Sequence, residues 1–283
     1  MHEGQELRLI AFLSILSLVI VWEMIQPKRQ LSQSKSKRWL NNITLVVLDS
    51  LMVRLLLPIG AAGVALWAED KQIGLLHYLH LGSTANLLLA IIILDLIIYW
   101  QHRLFHVVPL LWRLHQVHHA DRDIDVSTGL RFHPIEILIS MLIKLTAIIV
   151  LGVPAIAVIL FEVILNGMAM FNHGNIRLSK ALDSILRVLV VTPDMHRVHH
   201  STLKHETNSN YGFNISLWDK VFGSYHAQPD MGHQSMNIGL EQHQNKPAHS
   251  ILWMLALPFI SAGGAYAQKS THTKSKKTGE HHV

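Results

Sequence analysis

The chain has 283 residues, half of them apolar and only 15% charged, and its mean hydropathy is positive. These values exclude an ordinary soluble domain and place the chain in the membrane class. It has no cysteine, which excludes disulfides, thiolate metal sites and cysteine nucleophiles and leaves nitrogen and oxygen as the only metal ligands. The formal charge of +5 is scattered and lacks the dense basic stripe of a nucleic-acid groove, so it suits anionic headgroups better than nucleic acid.

In chain order, apolar runs long enough to cross a bilayer occur at 7 to 25, 43 to 67 and 84 to 100, followed by a shorter pair at 135 to 151 and 153 to 171. They read as an all-α, multi-pass helical membrane protein with three spanning helices plus a helical hairpin. The first run lacks the small-residue cleavage site of a secretory signal and reads as an anchor. The first connection carries Lys28, Arg29, Lys35, Lys37 and Arg38, whereas residues 68 to 83 hold only Lys71. By the positive-inside rule that connection is cytoplasmic and the N-terminus lies outside, in a bacterial inner membrane or the endoplasmic reticulum. The third helix then delivers His102 and everything up to Arg131 to the cytoplasmic side. The hairpin, turning at Gly152 to Pro154, returns the chain there. Lys144 and Glu162 lie at nearly equal distances from that turn, which predicts an ion pair between antiparallel helices. Residues 172 to 250 are polar and are expected to form a cytoplasmic, histidine-rich helical cap. A last apolar stretch at 251 to 267 contains Pro258 and is expected to lie along the interface, keeping Lys269, Lys274, Lys276 and Lys277 cytoplasmic.

The chain carries 21 histidines, and eight of them form three boxes. His102 and His106 are four apart, while His115, His118, His119 and His196, His199, His200 both follow HxxHH. On a helix these spacings put the imidazoles on one face, about 6 Å apart along the axis. Chance at this histidine frequency yields an HxxHH match only about 0.1 times. Two ions need more ligands than one helical face supplies, and three converging boxes would provide them. His2, His77, His80, His233, His243, His249, His272, His281 and His282 lack partners at ligand spacing and read as solvated or core-capping residues. Asp95 sits two turns before His102 on the same face. It reads either as a group that orients a ligand imidazole through its free N–H or as a hydrogen-bond partner of a neighbouring helix. His133 precedes Pro134, so it is expected at a bend, supporting the site or the local structure.

In this order, and attached to membrane helices, HRLFH, HQVHH and HRVHH resemble the fatty acid hydroxylase and sterol desaturase superfamily. DLIIYWQHRLFH, RFHPIE, FNHGN, TPDMHRVHH and NYGFNISLWDKVFGSY extend the likeness over about residues 90 to 226. The domain reading follows: an N-terminal transmembrane region at 1 to 84, a catalytic domain at 85 to 226 and a C-terminal segment at 227 to 283. The resemblance implies a non-haem centre of two iron ions that uses O2 and two external electrons to hydroxylate or desaturate an unactivated carbon of a lipid or sterol. The ligands it implies are His102, His106, His115, His118, His119, His196, His199 and His200, with His173 of FNHGN as a ninth. No haem-binding electron carrier is fused to the chain, so a separate electron-donor protein is implied. Walker, GxGxxG and GxSxG motifs are missing, which leaves nucleotide cofactors and serine hydrolysis without support. The reading from a different class is a non-catalytic metal-binding membrane protein such as a zinc transporter. Transport asks for ligands at mid-membrane depth along a crossing path, whereas these boxes begin after Trp100 at a helix end.

Overall fold

In a computed structural model that describes residues 2–260, helices are the only extended regular elements, and pairing outside them is limited to three isolated bridges among those residues. The long helices are α1 (His2–Ile25), α2 (Lys35–Leu56), α3 (Gly60–Asp70), α4 (Ser83–Val107), α5 (Pro109–His119), α6 (Pro134–Leu151) and α7 (Ala155–His173). Short helices α8 (Lys180–Leu186), α9 (Pro193–His199), α10 (Lys204–Thr207), α11 (Leu217–Val221) and α12 (Gly232–Ser235) follow, and α13 (Ile251–Ile260) comes last.

Proline and glycine set the breaks. Pro58 has no amide hydrogen and restricts Leu57, so the apolar run at 43 to 67 is two helices, with α3 restarting at Gly60 in the left-handed region (φ +65°). The next helix does not stop at Trp100. It continues to Val107, before Pro109, and so carries the first histidine box inside it. Gly152 caps α6 with φ +67°, and Pro154 leads into α7, as the turn chemistry predicts.

Five stretches, Glu6–Ile25, Lys35–Asp70, Ser83–Val107, Pro134–Leu151 and Ala155–His173, are long and apolar enough to cross a membrane. Their outward faces expose Leu7, Ile10 and Leu13 on α1, Leu40, Val47 and Leu55 on α2, and Leu88 and Ile92 on α4. Such a surface is costly in water and costs nothing in hydrocarbon, so this is an integral membrane protein. Inside, Ala61, Ala65, Ala90, Leu94, Ile148 and Phe161 pack where α3, α4, α6 and α7 meet, the alanines allowing close approach. Lys144 Nζ lies 3.1 Å from Glu162 Oε1, the ion pair expected from the hairpin, and Arg8 joins it from α1.

The polar segment is less helical than expected, for its longest helices have seven residues. Buried polar contacts hold it instead. Lys28 pairs with Asp194 and Arg29 donates to the carbonyls of His233 and Met236, while Arg38 holds the loop after α5, buried between Asp121 and Asp125. Three of the cations of the first connection are therefore engaged by protein rather than by headgroups, and that connection lies at the same end of the helices as the boxes. The helix α13 packs on α5 and α2 through Met254 and Leu257. Residues 261 to 267 and the basic tail lie outside the described residues.

Candidate metal centre

Four helices end at one place. His102 and His106 occupy the last turns of α4, His115, His118 and His119 the end of α5, and His173 is the final residue of α7. His196 and His199 end α9, with His200 as its C-cap. Each helix C-terminus carries partial negative charge from the aligned peptide dipoles, so their convergence favours cations. All nine residues are at most 7% exposed.

The nine sort into two groups. One ring nitrogen each from His102, His106, His115, His119 and His199 lies within 4.8 Å of the others, and His118, His173, His196 and His200 form a second group by the same measure. The HxxHH pattern explains the partition. Residues i and i+4 diverge by only about 40° around a helix, whereas i+3 and i+4 diverge by about 100°. His115 and His119 therefore serve the first group while His118 turns to the second, and in the third box His196 and His200 serve the second group while His199 turns to the first. The spacing does not put a whole box on one site; it divides each HxxHH box between two.

Hydrogen bonds fix the tautomers. Nδ1–H donates to the carbonyl of Tyr211 from His102 (2.8 Å), of Arg131 from His118 (3.1 Å), of Ala169 from His173 (2.7 Å) and of Ser209 from His199 (2.7 Å). A carbonyl can only accept, so Nε2 of each neutral ring carries a bare lone pair. His115 Nδ1 is held by the Glu136 carboxylate at 2.6 Å. The Nε2 atoms of His118 and His173 nevertheless lie 3.1 Å apart, with His196 Nε2 2.9 Å from that of His173 and 3.2 Å from that of His200. In the other group, Nε2 of His115 and His199 and both nitrogens of His119 are buried without a partner. Converging lone pairs of this kind repel unless a cation lies among them. The residues therefore fit two metal ions, and an all-imidazole donor set suits iron, copper, zinc or nickel.

Burial holds the His115 ring at about 3. Burial, reinforced by neighbouring rings, also holds His118, His119, His196, His199 and His200 well below the ordinary histidine value, so they are neutral and ready to bind. The frame around them is charged. Burial alone would push Asp121 up, but the Arg38 guanidinium, bonded to both its oxygens at 2.8 Å, holds its carboxyl at about 2. Arg131 donates to Val117 O at 2.7 Å and offers its own carbonyl to His118, clamping the second box. Burial raises Asp219 to about 6, where it accepts from the amides of Tyr211 and Gly212 and so fixes the loop whose carbonyl holds His102.

Asp95 reaches no ring nitrogen. It accepts from Trp218 Nε1 at 2.7 Å and Ile215 N at 3.3 Å, tying α4 to the loop after Tyr211, and it bears on His102 only through that loop. His133 is the N-cap of α6, its Nδ1 accepting from Ile135 N at 3.2 Å, and it too lies apart from both groups. The carboxylate that does touch a box histidine is Glu136, which the reading of RFHPIE did not single out. Its only sequence signal was an ionisable residue in an apolar helix. A third group, His205, Glu206, His226 and Asp230, is partly exposed and shares no residue with the two. His77, His80, His233, His243 and His249 join neither; the side chain of His2 and residues His272, His281 and His282 lie outside the described part.

A cavity of about 440 Å³ lies between α1, α2, α4, α6 and α7 and reaches His102 and His115 of one group and His118 of the other. Phe12, Val46, Val53, Ile98 and Leu165 give it apolar walls, with Phe105, Phe132 and Phe213 beside the histidines.

Residues 87–224 match the family model described as fatty acid hydroxylase. This stretch is similar to the fatty acid hydroxylase family. All nine box and FNHGN histidines, and the Tyr211 and Asp219 loop, fall inside the fatty acid hydroxylase region. The ornithine lipid hydroxylase OlsE of Rhizobium tropici is 27% identical over 259 residues, 90% of this chain and 76% of that protein. Human alkylglycerol monooxygenase is 29% identical over 135 residues, 46% of this chain and 28% of its own. A putative Delta(7)-sterol-C5(6)-desaturase 2 of Arabidopsis thaliana is 26% identical over 145 residues, 48% of this chain and 46% of its own. The chain thus spans less than half the length of the last two. No solved structure matches it. The resemblance drawn from the boxes is borne out by the family model and these relatives, and the protein is an oxidoreductase.

Proposed function

We propose that this chain is a membrane-embedded lipid hydroxylase in which His102, His106, His115, His119 and His199 hold one iron ion and His118, His173, His196 and His200 hold a second. The observation that carries the reading is that both all-nitrogen groups face one cavity between membrane-spanning helices. With iron bound, the centre supplies the redox chemistry that puts one oxygen atom of O2 into a C–H bond and reduces the other to water with two electrons and two protons. The chain's own residues do the rest. His102, His115 and His118 present the centre to the cavity, so the reacting carbon is brought against both groups. Phe105, Phe132 and Phe213 keep water from it, and the Tyr211, Arg131, Ala169 and Ser209 carbonyls with Glu136 hold five rings in fixed tautomers and orientations.

The hydrocarbon body of the substrate enters from the bilayer between the helices. The relatives' names, an ornithine lipid hydroxylase, alkylglycerol monooxygenases and a sterol desaturase, support a lipid or sterol substrate. Desaturation is a close variant, since both outcomes can begin with removal of one hydrogen atom. Electrons come from a separate donor protein, and the centre faces the cytoplasm of a bacterial inner membrane or the cytosolic side of the endoplasmic reticulum. A zinc transporter would need ligands along a crossing path; here they gather at helix C-termini at one end of the bundle. Purification under reducing conditions, metal analysis and Mössbauer spectroscopy test the centre, with two irons per chain expected. Protein that carries only zinc or a single ion, and stays inactive after iron reconstitution, would overturn it. Comparison of lipid extracts from cells with and without the protein should find a lipid gaining one oxygen atom.

A further inference from the structure

Outside the nine-histidine centre, one further cluster of ligand-bearing side chains is assembled from two separate stretches of chain. His205 and Glu206 lie on α10, just after the third box, and His226 and Asp230 follow α11. Buried Asn210 clips the two stretches together. Its Nδ2 donates to His226 O at 2.8 Å and its Oδ1 accepts from His226 N at 2.8 Å, while Glu206 Oε1 accepts from Asp230 N at 2.5 Å. The four side chains thus project from a fixed backbone, and one ligand atom from each lies within 4.8 Å of the others.

Two observations within the cluster point to a cation. Glu206 is fully buried, yet its Oε2 has no hydrogen-bond partner, and among the described residues no lysine or arginine pairs with it or with Asp230. Burying an acceptor without a partner is unfavourable. A surface hydrogen bond between His205 and Asp230 accounts for those two residues and leaves this oxygen unexplained. The spacing is the second observation. Zinc bonds of about 2.0–2.1 Å in a tetrahedron put neighbouring ligand atoms about 3.3 Å apart. His205 Nε2 lies 2.9 Å from Asp230 Oδ2 and His226 Nε2 lies 3.9 Å from Asp230 Oδ1, on either side of that value. The side chains of His205 and Asp230 are each 56% exposed, so they are free to turn and close on an ion.

We propose that His205, Glu206, His226 and Asp230 form a metal site separate from the nine-histidine centre, taking one zinc ion through two imidazoles and two carboxylates. Imidazole nitrogen with carboxylate oxygen is an ordinary zinc donor set, and four protein ligands close the tetrahedron as a structural site requires. The ion ties α10 to the stretch at 226–230. That helix leads directly out of the third box: Thr207 Oγ1 donates to Ser201 O, Ser209 Oγ donates to Glu206 O at 2.6 Å, and Ser209 O holds His199. The ion therefore braces the chain behind the third box without touching either histidine group.

Zinc titration of the purified full-length protein in nanodiscs tests this, with the nine-histidine centre already metal-loaded and every metal counted on the same samples. Wild type should take up one further zinc per chain with no metal lost from the centre. The double variant His205→Ala, Asp230→Asn, altered only at exposed positions, should lose that ion and keep the metals of the centre. Zinc should also slow amide exchange at 204–210 and 226–230 in wild type but not in the variant. No uptake beyond the centre, uptake unchanged in the double variant, or exchange unaltered by zinc would each overturn the proposal. So would a further ion that survives in the double variant and leaves with His281→Ala, His282→Ala, since the adjacent imidazoles of the tail are the other ready place for adventitious zinc. The count does not depend on which metal fills the centre, so this proposal and the hydroxylase reading fail separately.

Discussion

Replacing Glu136 with glutamine separates the two histidine groups. The carboxylate lies 2.6 Å from His115 Nδ1, with the pair 4% and 3% exposed, so no water can take its place. Glutamine keeps the volume and one acceptor oxygen but loses the charge that makes the distant Nε2 a stronger ligand and fixes the ring. Supporting partners of this kind are worth about 10–100-fold in metal affinity, or about 1.4–2.7 kcal/mol. Glu136 hydrogen-bonds to no member of the four-histidine group, so the loss should fall on one ion. The assay is a chelator titration of purified, iron-loaded protein, with bound metal counted and the two irons resolved by Mössbauer spectroscopy. One iron should leave at about 10–100-fold lower chelator than in wild type while the other holds. Equal weakening of both irons, or no change in either, would refute the assignment of Glu136 to the five-histidine group.

A Cβ added at Gly129 would stand 2.6 Å from Ala169 O and 3.1 Å from His173 Nδ1. Gly129→Ala should therefore displace His173, cost about 1–3 kcal/mol in thermal unfolding and weaken the ion of the four-histidine group first. Glu162→Gln removes the carboxylate that Lys144 and Arg8 share and should cost about 3–5 kcal/mol, more than Lys144→Met, which leaves Glu162 with Arg8; the reverse order in melting experiments would discard the shared ion pair. Acid should destabilise metal-free protein steeply. Burial depresses His115, His118, His119, His196, His199 and His200 in the fold, whereas the unfolded chain protonates them below 6.5. Stability is thus present above that value and lost as pH falls below it, with a limiting slope of about 8 kcal/mol per pH unit for six such groups. A melting temperature that stays flat between about pH 7.5 and about pH 5 would contradict their burial in the neutral form.

The histidine boxes were legible because metal chemistry restricts residue type and helix geometry restricts spacing, and both are written locally. The membrane helices and the Lys144–Glu162 pair were legible for the same reason, the latter because a tight turn makes antiparallel neighbours predictable. Local pattern failed where partners come from afar. Asp95 has the helical register of His102 but meets Trp218, 123 residues away, because the loop that packs there is placed by its own buried Asp219. Glu136 looked like any acid in a first helical turn, where it suits the helix dipole, and its partner His115 is brought to it by the course of α5. Asp49 carried only the signal of an ionisable residue in an apolar run, and its place beside the histidines appeared once α2, α4 and α6 enclosed a common cavity around it. By itself the sequence determined the solvent of the protein, the helices and the set of nine histidines. Tertiary structure alone decided how those histidines divide between two groups and which nitrogen of each ring is bare, because these depend on the mutual orientation of helices that no local periodicity encodes.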